Sequence, residues 1–131
     1  RPGVAVPLIL VALVAIAAIA GFALLKSQAR SAMAALNYAQ VSMADARDGA
    51  YEGEVDAGLV AVRVRVAVRS GAIDSIELLR HDNGMGQRAE AILGEMKRAN
   101  TWDVDAVSGA TLSSEAIKSA VSLALKKSAP N

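Results

Sequence analysis

The stretch Leu59-Val60-Ala61-Val62-Arg63-Val64-Arg65-Val66-Ala67-Val68-Arg69 decides the fold. Valine holds every even position from 60 to 68, and alanine or arginine every odd one from 61 to 69. A period of two sends successive side chains to opposite faces of a strand; a helix would scatter these valines around its axis. Valine is also stiff at χ1 and suits extended backbone. The valine face therefore needs a packed cover. The arginine face reads as the solvated side of an antiparallel sheet, with a phosphate or an acidic partner as its other use.

Working outward, Ser70-Gly71 reads as a hairpin turn, and residues 72–81 as a second strand with Ile73, Ile76 and Leu78 as apolar contacts. Ile73 and Ile76 are three apart, so a bulge or a shifted start is expected between them. Upstream, Tyr51-Glu52-Gly53-Glu54-Val55 reads as a short strand ending in an Asp56-Ala57-Gly58 turn, and Asp48-Gly49 marks the start of the domain. Downstream, Asp82-Asn83-Gly84-Met85-Gly86 is a loop. Residues 87–98 show helical spacing at Ala89, Ile92, Leu93 and Met96, and Asn100-Thr101 ends that helix. A short strand-like run at residues 104–107 precedes a long helix over 112–127. That helix buries Ile117, Ala120, Val121, Ala124 and Leu125, and Lys126 and Lys127 suit its C-terminal end. The fold class is α+β: a small antiparallel or mixed sheet packed with helices.

The chain has 131 residues, a formal charge of +1, one His and no Cys. This is room for one small domain plus an extension. Near-neutral charge gives no reason to expect nucleic acid as a partner. Disulfides, thiolate zinc sites and cysteine-held iron–sulfur clusters are excluded, and a lone His makes neither a multi-His metal site nor bis-His haem ligation. An electron carrier built on this chain needs an organic cofactor.

Residues 4–25 carry no charged side chain. About 22 helical residues span roughly 33 Å, enough for a bilayer core. Ser27-Gln28-Ala29 loosely imitates a cleavage site, but the apolar run exceeds a signal peptide's core, so a retained transmembrane helix is expected. Residues 1–3 form the flank before it. Residues 31–47 continue in a helical pattern, with Ala32, Leu36, Ala39 and Met43 on one stripe. Residues 26–47 thus read as a juxtamembrane helix or spacer, 48–127 as the domain and 128–131 as a tail. Lys26 and Arg30 follow the span and only Arg1 precedes it, which by charge count puts the domain in the cytoplasm.

The chemistry concentrates at the start of the last helix, in Asp105-Ala106-Val107-Ser108-Gly109-Ala110-Thr111 followed by Leu112-Ser113-Ser114. Gly109 permits a tight turn with positive φ. A helix start presents unpaired N–H groups and a positive dipole end, a ready place for phosphate. Thr111, Ser113 and Ser114 also fit as ordinary cap and first-turn residues. Glu115 is an awkward neighbour for a phosphate. Gly84 and Gly86 let backbone approach a ligand, or simply connect strand to helix. Trp102 covers a flat ligand or anchors its loop to the core.

The seven-residue run resembles the flavinylation motif of the FMN-binding domain found in the Rnf and Nqr ion-pumping complexes, and in many small membrane-anchored flavoproteins. Tyr51-Glu52-Gly53, the valine strand, Gly71, Ile73, His81 and Asn83-Gly84-Met85-Gly86 extend the resemblance over about residues 48–127. It implies a membrane-anchored electron-transfer flavoprotein whose FMN is joined through phosphate to Thr111 by a dedicated flavin transferase. Ser108, Gly109 and Ala110 then shape the turn, and Asp105 acts in attachment, through the transferase's metal. His81, Gly84, Gly86 and Trp102 are the remaining cofactor-binding candidates, with no catalytic or metal-ligating residue in this chain. The resemblance also implies redox partner subunits and an extracytoplasmic domain, against the charge count. A non-covalent FMN-binding module and a cofactor-free membrane-anchored structural or sensory domain are the alternatives.

Overall fold

The computed structural model describes residues 2–82 and 84–129. A long helix α1 (Pro2–Ala34) leads through a 3-10 turn (Met43–Asp45) into β1 (Gly49–Asp56), β2 (Ala61–Arg69) and β3 (Ala72–Asp82). A 3-10 segment (Gly84–Ala91) runs directly into α2 (Ile92–Ala99), and α3 (Thr111–Ser128) closes the fold. The strands form one antiparallel sheet in the order β1-β2-β3, with α3 laid across β1 and β2. The class is α+β, as the alternation and helical spacings require.

Val60, Val62, Val64 and Val66 are fully buried and Val68 is nearly so. Their cover is the apolar stripe of α3, where Ile117, Ala120, Val121, Ala124 and Leu125 are all fully buried. The opposite face is solvated and charge-balanced. Register sets Glu52 opposite Arg65 and Arg65 opposite Glu77. The Glu52 carboxylate lies 3.3 Å from Arg63 and 3.4 Å from Arg65, and Arg65 also reaches Glu77 at 3.4 Å. Such exposed pairs contribute about 0–1 kcal/mol each, against about 1.5–3 kcal/mol for burying one valine. The apolar face sets the fold, and the charges keep the other face in water.

Ser70 and Gly71 both have positive φ, at 55° and 74°. This is the backbone of a two-residue type I′ turn, whose twist matches the strands it joins. The sheet register shifts twice, between Ala67 and Val68 and between Arg63 and Val64. The first bulge lets both Ile73 and Ile76 face inward. The second follows Leu78 and sets His81 opposite Val62, on the core side of the sheet. Strict alternation from Leu78 would have pointed His81 outward.

Of the described glycines, Gly53 is the one approached most closely by another element. A Cβ there would overlap the Ala120 carbonyl and lie 2.8 Å from the Ala124 nitrogen. The α3 backbone rests on the bare Cα of β1. Nearby, the Lys127 ammonium donates to the Glu52 carbonyl at 2.6 Å, and Arg47 N–H donates to the Ser128 carbonyl at 2.9 Å. β1 thus begins beside the end of α3 and runs antiparallel to it.

Two expectations are corrected. The helical pattern read through to residue 47 ends at Ala34, and residues 36–47 run as an irregular strap along α3. The strap's backbone is held by side chains of that helix. Ala39 N–H donates to Ser122 Oγ at 3.0 Å, and the Ser119 hydroxyl donates to the Asn37 carbonyl. Ala39, Val41 and Met43 are half-buried while Gln40, Ser42 and Ala44 are exposed, a period of two rather than 3.6. The run 104–107 forms no strand; Val107 N–H bonds to the Ser114 hydroxyl instead of a sheet neighbour.

Within α1, the large apolar side chains from Leu8 to Leu25 are 58–70% exposed. The stretch Pro7–Ala34 is long and apolar enough to cross a membrane, with a mean hydropathy of 3.0 in its most apolar window.

Gly53→Ala is expected to destabilise the protein by about 3 kcal/mol or more, because backbone cannot rotate away from the added methyl. Gly94→Ala, inside α2 with open space around the new Cβ, is expected to be neutral or to gain up to about 1 kcal/mol. Denaturant melts of the two full-length variants in detergent separate these outcomes.

Candidate functional site

The start of α3 is open. Ala110 precedes it and provides no side-chain cap. The Ser114 N–H bonds the Ala110 carbonyl at 2.9 Å, so the N–H groups of Thr111, Leu112 and Ser113 precede the intrahelical ladder. Eighteen residues of aligned peptide dipoles place partial positive charge at this end.

The turn before it is tightly held. Ala110 N–H donates to the Val107 carbonyl at 3.0 Å, and Gly109 has φ +82°. That is the positive φ a type II turn requires at its third residue. The buried Ser114 hydroxyl accepts from Val107 N–H at 3.0 Å, tying the turn to the first turn of α3. Burial sorts the local hydroxyls. Ser113 is 2% exposed and Ser114 fully buried, whereas Ser108 and Thr111 are exposed. Asp105 is exposed as well.

Arg88, which the sequence reading did not single out, belongs to this site. It lies on the 3-10 segment, and its Nη1 is 3.9 Å from the place a Cβ on Gly109 would take. The guanidinium thus comes within van der Waals reach of the turn. Arg88, the free N–H groups and the exposed hydroxyl of Thr111 together make an environment suited to a phosphate. A basic residue shortly after the Asp82–Gly86 loop was the available signal, but its meaning depends on where the 3-10 segment docks.

The same segment also approaches β3 at His81. His81 Nδ1 lies 3.7 Å from Glu90 Oε2, and the His81 side chain is 6% exposed. Among the described residues its Nε2 meets no hydrogen-bond partner. Gly84 and Gly86 fall in the first turn of the 3-10 segment, and Asn83 lies outside the described residues. The 3-10 segment thus touches two places: β3 at His81, through Glu90, and the Gly109 turn, through Arg88.

Trp102 is placed differently. It is 9% exposed, stacks on Tyr38 of the strap with ring centroids 5.4 Å apart, and has the Lys118 ammonium 5.9 Å from its centroid. Glu115 is drawn into this cluster: it accepts from the Tyr38 hydroxyl at 2.6 Å and pairs with Lys118 at 3.3 Å. Its charge is thus partnered within the cluster. Among the described residues no group of three or more His, Asp and Glu could hold a metal ion.

The sequence model of one family, described as the FMN-binding domain, matches residues 58–126. The match takes in β2, β3, the 3-10 segment, α2, the Gly109 turn and all but the last two residues of α3. No curated protein matches the chain.

Burial raises the pKa of Tyr38 well above its ordinary 10.0, and the hydrogen bond and negative charge of Glu115 add to the effect. In the unfolded chain this phenol ionises near pH 10, while in the folded state it keeps its proton. The folded state then holds more protons than the unfolded, so stability falls as pH rises above about 10. Tyr38→Phe is expected to flatten that alkaline decline and to leave one normally titrating phenol fewer in the denatured protein. Denaturation across the alkaline range, with tyrosinate absorbance, checks both.

Proposed function

The chain belongs to the FMN-binding domain family, and on that premise we propose that it is a membrane-anchored electron-transfer flavoprotein with FMN joined through its phosphate to Thr111. The supporting observation is the exposure of Thr111, which bears the hydroxyl, at the first position of α3 and at the end of the Gly109 turn. Ser113 and Ser114 are too buried to serve as acceptors.

In this reading the α3 N-terminus and Arg88 hold the phosphate against the turn. The helix end contributes fixed dipoles that need no reorganisation, and Arg88 contributes a full charge. Ser114 keeps the turn in register with the helix, and Ala110 leaves the helix end uncapped by any side chain. Asp105, exposed on the approach to the turn, is left for the flavin transferase that matures the protein, through that enzyme's metal. His81 adds a buried imidazole on β3, beside Glu90 of the 3-10 segment. FMN, when bound, supplies the redox chemistry, and the protein supplies position and electrostatics. No acid–base pair is required of this chain, which is a carrier component working with redox partner subunits rather than a self-sufficient enzyme.

The anchor in this reading is α1, crossing the cytoplasmic membrane once with the domain outside the cytoplasm. Protease added to right-side-out vesicles is expected to digest the domain; protection there, with digestion in inverted vesicles, gives the opposite topology.

Thr111→Ala, coexpressed with a flavin transferase, is expected to abolish flavin fluorescence of the denatured band while the protein stays folded and in the membrane. Thr111→Ser retains labelling, as does Ser113→Ala. Ser108→Ala is the sharper control, because Ser108 is the other exposed hydroxyl of the turn. Loss of fluorescence in Ser108→Ala with retention in Thr111→Ala would move the acceptor. A yellow preparation that loses its flavin on denaturation supports the non-covalent module, and a colourless one, despite a competent transferase, the cofactor-free domain.

A further inference from the structure

From β1 onward, among the described residues, Leu59 is the only large hydrophobic side chain in the exposed class, at 41%. It sits in the β1–β2 turn, and that turn abuts α1. Ser27, Gln28 and Ser31 of α1 face Ala57, Gly58 and Leu59 across an open cleft of about 390 Å³.

The turn is a built projection. The Asp56 carboxylate accepts from Gly58 N–H at 3.0 Å, Ala57 N–H bonds the Val60 carbonyl at 2.9 Å, and Gly58 takes φ +85°. These bonds fix the backbone on both sides of Leu59 and occupy the Asp56 carboxylate. Nothing within 4 Å of Gly58 would crowd an added Cβ, so the turn is open at Gly58.

The position along α1 identifies what the turn meets. Leu25 ends the uncharged run and Lys26 is its first charge. At 1.5 Å per residue, Ser27 lies about 3 Å and Ser31 about 9 Å beyond Leu25 along the helix axis. A lipid headgroup layer is about 5–8 Å thick on each side of the hydrocarbon core. The cleft therefore opens within the headgroup layer, with polar Ser27, Gln28 and Ser31 on one wall. Exposed Lys26 and Arg30 flank it with positive charge suited to lipid phosphate.

We propose that the β1–β2 turn is a second membrane contact, with Leu59 seated among phospholipids beside α1. This rests on the reading of α1 as a membrane span. The turn and α3's N-terminus share one end of the domain, because β1 runs antiparallel to α3. Seating the turn fixes the domain's tilt and directs the Thr111 end toward the bilayer, as a tether alone would not.

The absence of cysteine permits a direct test on the full chain. Leu59→Cys, Ser70→Cys and Leu13→Cys are labelled singly with an environment-sensitive fluorophore. Each is reconstituted in phosphatidylcholine–phosphatidylglycerol vesicles with and without lipids bearing a nitroxide near the headgroup. Ser70 lies at the other end of β2, about 30 Å away at about 3.3 Å per residue. The Leu59 label is expected to emit blue-shifted light and lose intensity to the shallow nitroxide, while the Ser70 label does neither. A Leu59 label that matches the Ser70 label, with the Leu13 label in the bilayer, overturns the second contact and leaves the span intact. A Leu13 label exposed to water overturns the span and the second contact together.

Discussion

The backbone of α3 lies directly on the Cα of Gly53, and the rest of the domain is arranged around that contact. A helix usually packs on a sheet through two layers of side chains. Here one layer is missing at the crossing, so α3 sinks toward β1 and the valine face closes over small residues. Ala116, Ala120 and Ala124 are fully buried in consequence. The alanine richness of α3 is the counterpart of a glycine in the facing strand.

A helix set this deep is buried on more than its apolar stripe. Ser114, Ser119 and Ser122 are fully buried too, and each has hydrogen-bond work to do. Ser119 and Ser122 bond the strap that descends from α1, and Ser114 bonds the turn before α3. Buried backbone outside regular structure must find partners, and short hydroxyls on a close-packed helix provide them without adding bulk. The same helix therefore forms the wall of the core, fastens the strap and shapes the candidate site.

The site inherits its electrostatics from this arrangement. Its positive end comes from the α3 dipole and from Arg88, carried in on the 3-10 segment, while the nearest acid on α3, Glu115, is partnered by Lys118 and Tyr38 on the strap side. An anion at the helix start thus meets attractive charge while the acid one turn below is already partnered. The aromatic pair of Tyr38 and Trp102 does a different job: it fastens the strap to the body of the domain.

How much of this was legible follows from the range of the forces involved. The alternation at residues 60–68, the two-residue turn at Ser70-Gly71, the apolar stripe of α3, the uncharged run of α1 and the Gly109 turn are all local. Each is written in neighbouring residues through backbone sterics and side-chain period, and a single chain read in order suffices to find them. The bulge between Ile73 and Ile76 was visible for the same reason, as a broken period. What the sequence could not determine depends on partners distant in the chain. Residues 36–47 fit a helical stripe and an extended strap equally well at Ala39 and Met43, and the choice fell to hydroxyls some eighty residues away. His81 faces the core only because a second bulge shifts the register. Arg88 meets Gly109 only because the 3-10 segment docks on α3, and Trp102 is covered only because the strap brings Tyr38 to it. Periodicity is a property of one segment, whereas the partner of a buried polar group or an aromatic face is a property of the packed chain.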